Sequence, residues 1–423
     1  MKSIETDHKT TVVDEDVKFS INEYYSSIVS ERENLQPLST INFQSQNGED
    51  DLKKGSDNPH LSDLEFFTRI IDLDVLTDSR EINSKLWIDQ FYHVTESLSA
   101  DAPIHTIEVG ETFSLVVNSK NKVFTWGLNQ EHLLGVRASE CRGLFKQIQE
   151  EIGPTRLKMI AVADDHALAL DHDSDVHVWG DNTRGKLGVG IEDQIVYPIK
   201  LLTVPKGQIE YIATKGNTSV ALTSSGEVIV WPVERKTSKN SEKISGGNLP
   251  MQLNMPSCQA VTKVSCGYNF VMFVGSNGVL YGMGDNQYGQ LGLGDQEPRE
   301  RPEPVEYFRA KGEKCVQVSC GFKHVVFLSG LGRVYTWGSG HFGQLGNENY
   351  ADVSLPTEVH FEVNEYGLRM NQIQAGMRSS YAFTEDHRLL CWGTNGRFTK
   401  QSSPTEIKLN ELVNVLYIQH NSD

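Results

Sequence analysis

The sequence predicts an all-β fold, a β-propeller assembled from tandem blades, and three recurring features carry that prediction. A strand ending on an aromatic residue returns at nearly constant spacing, a small residue precedes it at a fixed distance, and Gly-x-Leu-Gly follows it in several copies. A unit of this length buries its faces only by stacking on its neighbours, so the repeat dictates the architecture.

The strand that closes each unit reads VFTWGLN, VHVWGDN, VIVWPVE, VLYGMGDN, VYTWGSG and LLCWGTN. Its aromatic slot holds Trp126, Trp179, Trp231, Met283, Trp337 and Trp392, at intervals of 53, 52, 52, 54 and 55 residues. The small-residue slot holds Gly110, Ala163, Gly216, Gly267, Gly321 and Gly376, lying 16, 16, 15, 16, 16 and 16 residues upstream. Between these landmarks, segments such as SVALTSSGEVIVW and HVVFLSGLGRVYTW cluster strand formers around a short turn. Each unit therefore reads as a few short antiparallel strands. Closing such units into a ring leaves no long exposed edge.

After the aromatic slot come Gly185-Lys186-Leu187-Gly188, Gly289-Gln290-Leu291-Gly292 and Gly343-Gln344-Leu345-Gly346, with Pro and Val a few residues later. With the strand wording, this resembles the repeat of the regulator of chromosome condensation (RCC1) family. The resemblance covers about residues 104 to 420. It implies a seven-bladed propeller with one repeat per blade. Six units are evident, so a closing blade is required. NVLYIQHNSD at the C-terminus reads as its opening strand. One period before Gly110, LEFFTRIIDLD, with Leu73 in the aromatic slot, stands where the later strands belong. The nearby LWIDQFYHV reads equally as helix or strand, which leaves open whether the two termini share the closing blade.

The propeller domain is thus expected over 61–423. Residues 1–60 differ, with six basic and twelve acidic residues for a net −6, and read as a disordered acidic tail. Tyr24 and Tyr25 in KFSINEYYSSIV suggest a docking motif, although stray apolar residues in a tail are the plainer reading.

The 423 residues are 38% apolar and 22% charged with 36 glycines, the balance of a soluble, turn-rich fold. A net charge of −17 repels phosphate backbones and anionic lipids, so direct nucleic-acid binding and membrane insertion are not expected. MKSIETDHKT lacks an apolar targeting core, and HNSD carries no sorting tag, which points to cytoplasm or nucleus. Six cysteines are too few for a disulfide scaffold, and the sequon Asn217-Thr218-Ser219 is read as accidental.

Several motifs tempt a chemical reading and fail. Gly338-Ser339-Gly340-His341-Phe342-Gly343 has dinucleotide spacing but no helix to receive a pyrophosphate. The run from Gly180 to Lys186 has P-loop spacing, yet Leu187 stands where Ser or Thr would coordinate magnesium. His166 and His324 share a slot with Phe113, Ser219, Phe270 and Ser379, so they are read as core histidines bonding a neighbouring strand. Cys266 and Cys320 share a slot with Val109, Val162 and Ala375 and are read as core thiols. The basic loop with Arg235, Lys236, Lys239 and Lys243 also contains Glu234 and Glu242, and reads as solvated. No catalytic, metal-binding or cofactor-binding residue is assigned, and no cofactor is expected.

Function is accordingly expected to be non-catalytic: a scaffold or adaptor presenting propeller loops to protein partners. The resemblance implies a second reading, exchange of guanine nucleotide on a small GTPase, since the founding member acts on Ran. This chain departs from it on two counts, because its tail is acidic rather than basic and its repeat intervals of 52 to 55 residues leave little room for a wedge insertion within the six clear units. Substrate recruitment to a ubiquitin ligase in a separate chain is a third. The irregular units, with Pro232 after Trp231, Met283, and His132-Leu133-Leu134-Gly135, mark either a partner face or drift, and strand pairing should stop at Trp231.

Overall fold

A computed structural model describes residues 104 to 407, apart from short stretches of which 233 to 248 is the longest. All of these belong to the unit Pro59–Asp423. They form six four-stranded antiparallel sheets in chain order. Blade 1 comprises β1 (Ile104–Val109), β2 (Phe113–Asn118), β3 (Val123–Gly127) and β4 (Lys146–Gln147). Blade 2 holds β5 (Leu157–Val162), β6 (His166–Asp171), β7 (Val176–Gly180) and β8 (Ile195–Lys200). In blade 3 come β9 (Ile209–Lys215), β10 (Thr218–Thr223), β11 (Val228–Trp231) and β12 (Met251–Leu253). Next are β13 (Val261–Gly267), β14 (Phe270–Gly275), β15 (Leu280–Gly284) and β16 (Arg299–Pro304) of blade 4. Blade 5 contains β17 (Cys315–Cys320), β18 (His324–Ser329), β19 (Val334–Gly338) and β20 (Val353–Glu358). Blade 6 ends the series with β21 (Met370–Ala375), β22 (Ser379–Thr384), β23 (Leu389–Gly393) and β24 (Gln401–Ile407). The expected N-terminal tail, the basic loop and both segments of the closing blade lie outside the described residues.

Burial explains why the strands differ in wording. Second strands such as FSLVVN, HALALD, FVMFVG and HVVFLS are buried at every position. In blades 2, 4 and 5 these strands lie between two described blades that cover both faces, and they read as continuous apolar runs. First strands such as IEYIATK alternate, because one face looks into the centre of the ring. All six first strands line one central cavity of about 200 Å³.

The core lies between blades. Phe113 and Leu115 of blade 1 pack with Ile160 and Trp179 of blade 2, and equivalent clusters join each later blade to its successor. Pairing ends at Trp231 in the third blade, as Pro232 requires. One helix, α1 (Glu306–Lys311), joins blades 4 and 5, stacking Phe308 on Phe327 with ring centroids 3.8 Å apart. Among the described residues no helix is long and apolar enough to cross a membrane.

Candidate protein-interaction face

Each first strand turns into its second strand at the end of the ring where the Gly-x-Leu-Gly loops emerge. This loop face is built from two layers, an internal one that locks blades together and an exposed one above it.

The internal layer uses the repeat landmarks. The indole Nε1 of Trp179 donates to the Leu133 carbonyl at 3.0 Å, that of Trp337 to the Gln290 carbonyl at 2.8 Å, and that of Trp392 to the Gln344 carbonyl at 2.9 Å. Each acceptor belongs to the post-aromatic loop of the preceding blade. Blade 3 has no Gly-x-Leu-Gly after Pro232, and its successor is the blade with Met283 in place of Trp. Methionine requires no acceptor, so loss of the loop and loss of the indole go together.

The two slot histidines act in the same layer. His324 is fully buried, and its Nε2 lies 3.2 Å from the Ser379 carbonyl and 3.0 Å from Ser380 Oγ. Since Ser380 Oγ donates onward to the Gln344 carbonyl at 2.7 Å, Nε2 carries the proton. Burial, aided by the Lys215 charge, pushes its pKa down to about 3, so the ring is neutral. His166 uses the opposite tautomer, donating from Nδ1 to Asp165 at 3.0 Å, with Nε2 2.7 Å from Thr214 Oγ1 and 3.0 Å from Ser219 Oγ. Burial lowers its pKa too, against the opposing pull of Asp165. Both are core histidines bonding the next blade, as their slot suggested. One equivalence needs correction. Ser219 pairs with Trp231, as Ser380 pairs with Trp392, whereas His166 pairs with Gly180 and His324 with Gly338. The third blade's turn is one residue shorter, so Thr218 occupies the slot and Ser219 is the receiving serine.

Lys186, in the P-loop-like run, is buried with its ammonium 2.5 Å from Asp165 and 2.6 Å from Asp181. Burial raises both carboxyl pKa values, but the bonds to Lys186, with His166 at Asp165 and Thr183 at Asp181, outweigh it and hold both below 3.8. The lysine is thus occupied by carboxylates. In sister blades the equivalent Gln290 and Gln344 accept the Tyr288 and Phe342 backbone N–H groups. The GxGxxG run opens no helix either; Gly340 is packed against the Ala351 carbonyl. Cys266 lies next to the end of inner strand β13 and Cys320 closes β17, and burial pushes the Cys320 thiol up to about 12.

The exposed layer was not legible in the sequence as a site. Tyr268 N–H donates to the Phe322 carbonyl at 3.0 Å, and Phe322 N–H donates to the Met377 carbonyl at 3.1 Å, stitching the turns of blades 4, 5 and 6 into one ridge. The Tyr268 and Phe322 rings lie 4.2 Å apart, and Met377 reaches the mouth of the central cavity. Around this apolar arc sit cations over aromatic faces. Lys323 Nζ is 4.5 Å from the Tyr288 ring centroid and 5.5 Å from that of Phe322. Arg378 lies 4.5 Å from the Phe342 centroid, with Lys400 5.1 Å from the same ring. Such contacts are worth about 0.5–1 kcal/mol each at exposed sites and hold the charged heads in place. Among the described residues no three His, Cys, Asp or Glu side chains converge on a metal site.

Four-stranded antiparallel blades in series, joined by tryptophan-to-loop hydrogen bonds and offering turns at one end, define a β-propeller. The chain belongs to the RCC1-like domain family, whose model matches residues 83–419. It is 29% identical to the ultraviolet-B receptor UVR8 of Arabidopsis thaliana over 279 residues, 65% of this chain and 62% of the receptor. With the human E3 ubiquitin-protein ligase HERC2 it shares 26% identity over 285 residues, 66% of this chain but 6% of that protein. The chain therefore spans less than two thirds of either relative. Prp20p of Saccharomyces cerevisiae, a structure described with its binding properties to Gsp1p and histones, superposes with a TM-score of 0.60 at 22% identity, covering 72% of this chain and 77% of that one.

Proposed function

We propose that this propeller is a non-catalytic interaction scaffold that docks partner proteins on the loop face of blades 4 to 6. The observation that carries the reading is the stitched ridge of Tyr268, Phe322 and Met377 flanked by Lys323 and Arg378. Half-buried aromatics and an arginine held by backbone hydrogen bonds are the composition of an interface anchor, and their rigidity lowers the entropy lost on binding. His166 and His324 are engaged by the next blade and Lys186 by two carboxylates of its own blade, which supports a structural role for them. Comparing proteins captured by the wild-type chain with those captured by a Tyr268→Ala/Phe322→Ala variant tests the reading. Partners lost by the folded variant support this face; partners retained by it remove the face from the interaction.

A second reading, regulation of a small GTPase, draws support from the likeness to Prp20p. Release of labelled guanine nucleotide from a panel of small GTPases including Ran, at fixed magnesium, tests it. Acceleration for one member replaces the scaffold-only reading.

A further inference from the structure

We infer that the loop face of blades 4 to 6 receives an extended acidic segment of a partner protein, seating one large apolar side chain on the Tyr268–Phe322 pair and carboxylates at Lys323, Arg378 and Lys400. The inference rests on the scaffold reading and adds the chemistry of the partner.

Charge is the first argument. In a chain of net charge −17, Lys323, Arg378 and Lys400 stand together on one face, and none of them is in an ion pair among the described residues. Several basic side chains elsewhere are committed, Lys186 to Asp165 and Asp181, Lys200 to Asp175 and Arg299 to Asp295 and Glu303, and what sets this face apart is three uncommitted cations beside an apolar arc. On the same face the Asp352 carboxylate is engaged, lying 3.1 Å from the His341 ring.

Geometry is the second. Each cation rests on an aromatic face, which fixes its position without neutralising it. The apolar arc lies beside them, so a ligand needs an apolar anchor as well as negative charge. Asp285 and Glu348, exposed in loops of the same face, together with the net charge disfavour a long uniform polyanion. A short peptide pairs locally, within a screening length of about 8 Å.

The test uses the full chain and fluorescence anisotropy with a short labelled peptide of glutamates around one central phenylalanine. The lysine-for-glutamate counterpart and an oligo-dT of equal length serve as competitors. Binding of the glutamate peptide that weakens with added salt, and falls at least about tenfold in Lys323→Glu/Arg378→Glu, is expected. Lys206→Glu, in the loop before β9 and so at the opposite end of the ring, should leave it unchanged. If the charge-reversed variant melts early, Lys323→Gln/Arg378→Gln and the salt dependence of the wild type decide instead. Equal binding by wild type and variant overturns the inference, as does tighter binding of oligo-dT. Loss of partner capture by Tyr268→Ala/Phe322→Ala without glutamate-peptide binding sinks the acidic chemistry and spares the docking face. A wild-type dimer in sedimentation that Lys323→Glu dissociates makes a second copy the occupant, and equally overturns it.

Discussion

Gln344 and Trp392 sit in successive blades, yet the indole N–H of Trp392 donates to the Gln344 carbonyl at 2.9 Å, so the post-aromatic loop of one blade caps the tryptophan of the next. Trp337 repeats this with Gln290 at 2.8 Å. Trp231 does not: the corresponding Lys186 carbonyl accepts from Ser219 Oγ, and the buried Trp231 Nε1 finds no acceptor among the described residues. All three indoles are fully buried, so replacement by Phe removes comparable volume at each. Trp337→Phe and Trp392→Phe are therefore expected to cost about 1–2 kcal/mol more than Trp231→Phe. Urea unfolding midpoints of the three variants check this; equal losses would show that the hydrogen bond contributes nothing net.

The same loops need glycine where they meet the indole. Gly292 has φ +72°, and a Cβ there would lie 2.8 Å from Trp337 Nε1. Gly207 has nearly the same φ, +71°, with nothing within 4 Å. Gly207→Ala measures the backbone strain alone, about 1–2 kcal/mol. Gly292→Ala adds a clash against a packed ring and should cost about 1–3 kcal/mol beyond that. Thermal melts of the pair separate the two contributions.

What the sequence disclosed follows from what repeats. Trp slots, small-residue slots and Gly-x-Leu-Gly recur because blades pack on their neighbours through equivalent interfaces, with the indole-to-loop bond made at blades 2, 5 and 6, so the all-β fold and its register were legible. The shift at Ser219 escaped because spacing alone does not say which side of a shortened turn loses the residue; strand pairing does. The stitched ridge escaped for a different reason. Tyr268, Phe322 and Met377 each follow a slot glycine but are not identical, and only the backbone bonds between turns show that they are contiguous. Lys186 read as a substituted glutamine, and its two carboxylates come from separate turns of the blade, 21 and 5 residues away in the chain.

That buried ammonium makes a coupling prediction. Lys186→Gln supplies the side chain of the sister blades but strands Asp181, 10% exposed, and Asp165, 36% exposed, without their cation. The expected loss is about 2–4 kcal/mol, below the full cost of breaking a buried pair because Asp165 reaches solvent. Adding Asp165→Asn to Lys186→Gln should recover part of it, whereas Asp165→Asn alone should destabilise. A double-mutant cycle in chemical unfolding measures the coupling; additive losses would mean the two groups do not interact.

His324 gives the fold a dependence on pH with a fixed sign. Its folded pKa is pushed down to about 3 by burial and the Lys215 charge, against 6.5 in the unfolded chain. Between those values the unfolded state binds more protons, so stability present above pH 6.5 is lost as pH falls toward 3. His166 acts in the same direction, while Asp165 and Asp181, held below 3.8, contribute only in stronger acid. Phenylalanine fills the equivalent slot at Phe113 and Phe270, so His324→Phe is tolerated sterically. It forfeits the Nε2 bonds to Ser379 and Ser380, about 1 kcal/mol at neutral pH. Between about pH 7 and about pH 5 the wild type should then lose about 2 kcal/mol more than the variant. Melting temperatures across that range should converge or cross. Parallel curves would place the acid sensitivity in other groups.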